Sequence, residues 1–151
     1  MAADASLAEL RELTERALSD GLRDAQRDRW RGLVTELLGR MQEPRRKHVR
    51  AIANLDVHVL EPDDLMGLVT STIGAGGLSM WMPSPPPVGT PLAMSIKVPQ
   101  RKVPLFARAQ VAWAREGEIG VVFTDIVQSD RELLEALAVR ALVAPGGMMP
   151  P

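Results

Sequence analysis

Apolar residues change their spacing at Pro44, and that change divides the chain. Before it, Leu7, Leu10, Leu13, Ala17 and Leu18 recur at helical spacing, as do Leu22, Ala25, Leu33, Val34, Leu37, Leu38 and Met41. That is the spacing of one helix face. After it, apolar residues recur at every second position, the spacing of a strand with one buried face. Leu55, Val57 and Val59 alternate with Asp56 and His58, and residues 65–71, without that alternation, read as a second strand. Leu78, Met80 and Met82 form a third, and Leu92, Met94, Ile96 and Val98 a fourth. Leu105, Ala107, Ala109, Val111 and Trp113 form a long fifth, and Ile119, Val121 and Phe123 a sixth. Pro62-Asp63-Asp64, Gly74-Ala75-Gly76-Gly77, the proline-rich stretch 83–89 and the Gly117 turn separate them. None of these connections can hold a crossover helix, so the strands are expected to run antiparallel in a barrel or sandwich.

The helical part is expected over residues 6–42. Ser6 and Glu9 have capping-box spacing at its start, Ser19-Asp20-Gly21 form a break, and Pro44 is a stop. The apolar positions keep no strict heptad, so a coiled coil is not demanded. The two readings are a helix packed on its own domain and a helix that pairs with a partner or a second copy. A last helix is expected from Ser129, capped with Glu132, with Leu133, Leu134, Leu137, Ala138, Ala141 and Leu142 on one face and Pro145 as its end. Three segments result: a helical extension at 1–43, a β-domain with a closing helix at 44–143, and a flexible tail at 144–151.

Composition removes several functions. The chain of 151 residues has no cysteine, which excludes disulfides, thiolate metal sites and a thiol nucleophile. Eighteen basic and 19 acidic side chains leave a net charge of −1, so no global field draws it to nucleic acid. No apolar run approaches a membrane span, and the acidic start is not a secretory signal. The expected compartment is therefore the cytosol. His48 and His58 have no metal-ligand spacing, and no serine is spaced with an activating base. Asp63/Asp64 and Glu116/Glu118 fall in expected turns, where acids are ordinarily solvated. The glycine stretch 74–77 lacks the Lys-Ser/Thr of a phosphate loop and joins two strands, so it reads as a tight turn or a close-approach site. An enzyme is not indicated.

The most informative cluster is Arg45, Arg46, Lys47 and Arg50, around His48 and between helix and barrel. Two guanidiniums four residues apart can clamp a phosphate bidentately and stack on a purine. Without interleaved aromatics, the run makes a poor nucleic-acid surface.

Taken in order, these motifs resemble the PilZ domain family. Arg46-Lys47-His48-Val49-Arg50 is similar to its R-x-x-x-R motif, and Thr72-Ile73-Gly74-Ala75-Gly76-Gly77 aligns with its D/N-x-S-x-x-G motif. Gly77-Leu78-Ser79-Met80, Pro87-Val88-Gly89-Thr90, Val111-x-Trp113 and Ile119-Gly120-Val121-x-Phe123 extend the likeness over residues 45–142. The resemblance implies a six-stranded antiparallel barrel that binds the bacterial second messenger cyclic di-GMP. It implies arginines on phosphate and guanine, second-motif side chains on guanine edges, and glycine for close approach. The implied ligand-binding residues are Arg45, Arg46, Arg50, Thr72, Gly74 and Gly77, with no metal or further cofactor. The segment 45–50 is expected to order around ligand and move the helices, altering a protein partner or self-association. The second motif is degenerate: Thr72 stands at the Asp/Asn position and Gly74 at the Ser position. Two lost hydrogen bonds at ~0.5–1.5 kcal/mol each weaken binding by ~10- to 100-fold. Ser71, Arg108 and Gln110 are potential replacements. The alternative is a degenerate barrel that binds no nucleotide and works through protein contacts.

Overall fold

The computed structural model describes residues 2–40, 49–99 and 101–143. Pro44, the basic residues Arg45, Arg46, Lys47 and His48, and the tail 144–151 lie outside the described residues. Two helices, α1 (Ala2–Ser19) and α2 (Asp24–Arg40), precede seven strands: β1 (Arg50–Ile52), β2 (Asp56–Glu61), β3 (Leu65–Gly74), β4 (Gly77–Trp81), β5 (Pro91–Ile96), β6 (Leu105–Arg115) and β7 (Glu118–Ile126). Helix α3 (Gln128–Val143) closes the order.

The sheet runs β1-β3-β2-β5-β6-β7-β4, and a β3–β4 pairing closes six strands into a barrel with β1 outside it. Every pairing is antiparallel. Alternation holds as expected: along β6, Leu105, Ala107, Ala109 and Val111 are buried while Phe106, Arg108 and Gln110 are exposed. With few aromatics available, unbranched Met80 and Met94 fill the barrel interior.

Strand β1 is the element that alternation did not announce. It has three residues, of which only Ala51 is buried, too few to show a period. It lies along the same edge of β3 as β2, farther toward the β3 C-terminus. Between β1 and β2 the chain breaks at residues 53–55, and Thr70 fills the break. Its fully buried hydroxyl donates to Ala53 O at 2.6 Å and accepts from Leu55 N at 2.8 Å.

Both expected serine caps fall inside helices. α1 begins at Ala2, so Ser6 lies past its first turn. α3 begins at Gln128, with the Val127 carbonyl accepting from Asp130 and Arg131 N–H, so Ser129 sits in the first turn. The break is where expected. Gly21, at φ 85°, donates to Arg16 O and ends α1, and Gln26 reaches back to the Arg23 N–H to start α2.

The helices are expected to bury one face each, but α3 is buried nearly all round. Leu133, Leu134, Ala136, Leu137, Ala138, Val139, Leu142 and Val143 are all inside, because α3 lies between α1 and strands β1 and β3. α2 folds back on α1 around Trp30, which donates to Thr14 at 3.0 Å within the core. Arg31 reaches from α2 to Glu132 and Glu135 of α3, both at 3.2 Å. The apolar faces of α1 and α2 are thus buried within the chain. On their outer side, hydrogen bonds from Arg29 hold the Glu9 carboxyl below its ordinary range. No helix among the described residues is long and apolar enough to cross a membrane.

Thr70→Val keeps shape and removes the hydroxyl between β1 and β2, leaving buried Leu55 N without its side-chain acceptor. The expected loss is about 1–3 kcal/mol, a fall of several degrees in thermal midpoint. Thr70→Ser retains most of the stability. Equal midpoints for the wild type and Thr70→Val contradict this role.

Candidate functional site

Arg50 is the first residue of β1 and is exposed; its Cα partner across the ladder is Gly74 of β3. A Cβ on Gly74 would lie 2.7 Å from the Val49 carbonyl oxygen and 3.4 Å from Arg50 Cγ. The missing side chain is therefore what lets the Val49 carbonyl, and with it the start of β1, come close to the end of β3. Strand geometry thus joins the end of the basic run to the glycine-rich motif.

Residues 74–77 form a tight turn. β3 extends through Gly74, three residues past its expected end, so Ala75 and Gly76 alone connect it to β4. The turn is held from two sides. Arg131 of α3 donates to Ala75 O at 2.9 Å, and Phe123 N of β7 donates to Gly76 O at 2.9 Å. Gly77 is required by space: a Cβ there would lie 2.0 Å from Val121 O across the β4–β7 ladder.

Thr72 faces Ser79 across the β3–β4 ladder. Its hydroxyl lies 2.6 Å and its N–H 3.1 Å from Ser79 Oγ. A register shift between Thr70 and Thr72 also turns Ser71 toward Ser79, at 2.7 Å. Ser71 in turn donates to Glu118 Oε2 at 2.7 Å. Farther along the face, Trp113 packs on Gly120, where a Cβ would come within 2.1 Å of the indole, and the Arg115 guanidinium stacks 4.7 Å from the ring centroid. Trp81 stands beside them, opposite Glu118 and 54% exposed.

One outer face, crossing β1, β3, β4, β7 and β6 in turn, thus carries an arginine, a glycine-rich turn, a hydroxyl cluster, a carboxylate and two indoles. It belongs to an antiparallel barrel with a closing helix, and the PilZ domain family model matches residues 44–140.

The chain belongs to the PilZ domain family.

The structure of the Bacillus subtilis inhibitor of motility (MotI/DgrA) is similar in fold, with a TM-score of 0.56 and 20% identity over 63% of this chain and 50% of that one. This chain therefore spans half the length of that protein. The PilZ domain of CeSA from a cellulose-synthesizing bacterium aligns at a TM-score of 0.43 and 23% identity, over 62% of this chain and 93% of that one. No curated protein matches this chain.

Of the PilZ positions read from the sequence, Arg50, Thr72, Gly74 and Gly77 lie on adjoining strands, while Arg45 and Arg46 lie outside the described residues. Ser71 joins the cluster. Arg108 does not: it pairs in the ladder with Ala93 and Asp125 and lines a hollow of about 330 Å³ with Leu60, Phe106 and Val127. Gln110 lies beside Gly89. His58 pairs with Asp64, and no group of three metal-ligating side chains exists among the described residues. Glu118, read as a turn residue, is instead half-buried at the start of β7. Ser79, Glu118 and Arg131 were missed; only Ser79 carried a signal, as the polar residue between buried Leu78 and Met80.

Gly77→Ala forces β4 from β7 and is expected to cost about 3 kcal/mol or more. Gly32→Ala, in exposed helix with nothing within 4 Å, is expected to stabilise by about 0.5–1 kcal/mol. Thermal melts of the two read opposite signs, and a Gly77→Ala midpoint at or above wild type contradicts the steric account.

Proposed function

We propose that the protein is a cyclic di-GMP receptor and adaptor in bacterial second-messenger signalling. The ligand docks between the arginine segment 45–50 and the outer face of β3 and β4. The observation that carries this reading is Arg50 placed directly opposite Gly74. A guanidinium there can reach over a bend whose only side chain, the Ala75 methyl, is buried, and the Thr72 hydroxyl lies two rungs along. Arg45 and Arg46 precede it closely enough in sequence to act on the same ligand. The ligand carries two negative charges, and a forked guanidinium binds a phosphate through two charge-assisted hydrogen bonds. Gly74 and Gly77 keep the floor low.

The same turn supports a route to an output. Arg131 holds Ala75 O, and the next residue of α3, Glu132, pairs with Arg27 and Arg31 of α2. A ligand that displaces the turn shifts α3 and, through it, the helical hairpin. The partner is a protein that reads the hairpin's position, and the response is motility or surface behaviour.

Isothermal titration of the full chain tests the reading. The wild type is expected to bind cyclic di-GMP with measurable heat. Arg46→Ala and Arg50→Ala each lose about tenfold or more, the worth of a charge-assisted hydrogen bond. No heat from the wild type at high micromolar ligand overturns the receptor reading and leaves a barrel that acts by protein contacts alone.

A further inference from the structure

Resting on that reading, we propose that Glu118 supplies the carboxylate that the second motif lacks, and that it selects guanine over adenine in the bound cyclic dinucleotide. The hydrogen bonds around it have a direction. A carboxylate accepts and does not donate, so the single proton of Ser71 Oγ goes to Glu118 Oε2. Ser71 Oγ, 2.7 Å from Ser79 Oγ, must then accept from Ser79. With its own proton committed, Ser79 Oγ accepts from both the Thr72 hydroxyl and the Thr72 N–H. The relay therefore runs Thr72 to Ser79 to Ser71 to Glu118, and every hydroxyl proton in it points inward.

Two consequences follow for the outward side. Thr72 Oγ1 presents only lone pairs to a ligand. Glu118 presents the remaining acceptor sites of its carboxylate, since one of about four is used by Ser71. Among the described residues no cation neutralises it. Arg115, its ladder partner, has its guanidinium over Trp113. The face offers acceptors from two points and donates from neither.

That pattern fits one purine. The Watson–Crick edge of guanine carries two adjacent donors, N1–H and the N2 amino group, which match the two oxygens of a carboxylate. The adenine edge sets an unprotonated N1 against them, leaving lone pair opposed to lone pair. A site built of acceptors discriminates strongly between such edges, because the wrong one leaves buried polar groups unpaired. Trp81, opposite Glu118 on the rung and largely exposed, provides a ring on which the base can stack while its edge meets the carboxylate.

The test is titration of the full chain with cyclic di-GMP and cyclic di-AMP, using wild type, Glu118→Gln, Ser71→Ala and Arg50→Ala. The wild type is expected to prefer the guanine dinucleotide by tenfold or more, taking ~10-fold as the smallest effect of one charge-assisted bond. Glu118→Gln, whose amide can also donate to adenine N1, brings the ratio of the two affinities toward one. Ser71→Ala frees the carboxylate from its tether and lowers the same ratio. Arg50→Ala weakens both ligands alike and leaves the ratio unchanged. If Glu118→Gln and Ser71→Ala keep the wild-type ratio while Arg50→Ala loses affinity, the role of Glu118 is overturned and the receptor reading stands. If the wild type binds neither dinucleotide, both fall.

Discussion

Two close backbone approaches hold this structure together, at Gly74 and at Gly77. At Gly77 the β4 backbone comes so near Val121 of β7 that no side chain fits, and β4 is the strand whose pairings with β3 and β7 close the barrel. At Gly74 the Val49 carbonyl comes almost as near, and β1 is thereby held against β3 with Arg50 at its start. Closure and presentation of the arginine thus depend on one short stretch of chain. The family's usual serine at the second-motif position would put a Cβ 2.7 Å from Val49 O here. A simple replacement would therefore push the Val49 backbone, and β1 with it, away from β3.

Helix α3 is the second organising element. It is buried between barrel and hairpin, and its polar residues are divided between the two. Arg131 holds the β3–β4 turn, while Glu132 and Glu135 hold Arg27 and Arg31. A buried carboxylate such as Glu135 is costly to separate from its cation, so hairpin and helix are expected to move as one body. A change at the turn is therefore felt about one helical turn away by α2, without any long path through the barrel.

Much of the barrel was legible because its rule is simple. One face of each long strand meets the interior, so β2 and β4 to β7 declare themselves by alternation, and the turns by proline and glycine. What was hidden lies where that rule is broken. β1 is too short to alternate. The register shift beside Ser71 places two consecutive residues on one hydroxyl, which strict alternation forbids. Ser6 and Ser129 have capping spacing but lie inside helices, because the helical backbone starts before each of them, and at α3 the Val127 carbonyl accepts from the first-turn N–H groups. Glu118 looked like a solvated turn acid because the ladder that turns it toward Ser71 is a long-range pairing. Arg131 looked like any helix-surface arginine, since only the fold brings Ala75 to it.

The central proposal is spatial: that the anionic ligand docks on the face that runs from Arg50 across Gly74 and Ser79 to Glu118. Backbone and indole NMR spectra recorded during addition of cyclic di-GMP test it most directly. The account predicts shifts concentrated at Arg50, Thr72, Gly74, Ser79 and Glu118, reaching the Trp81 side chain and, through Arg131, the start of α3. Shifts centred instead on the hollow of about 460 Å³ lined by His58, Lys97 and Lys102, with the Arg50 face unchanged, would contradict it.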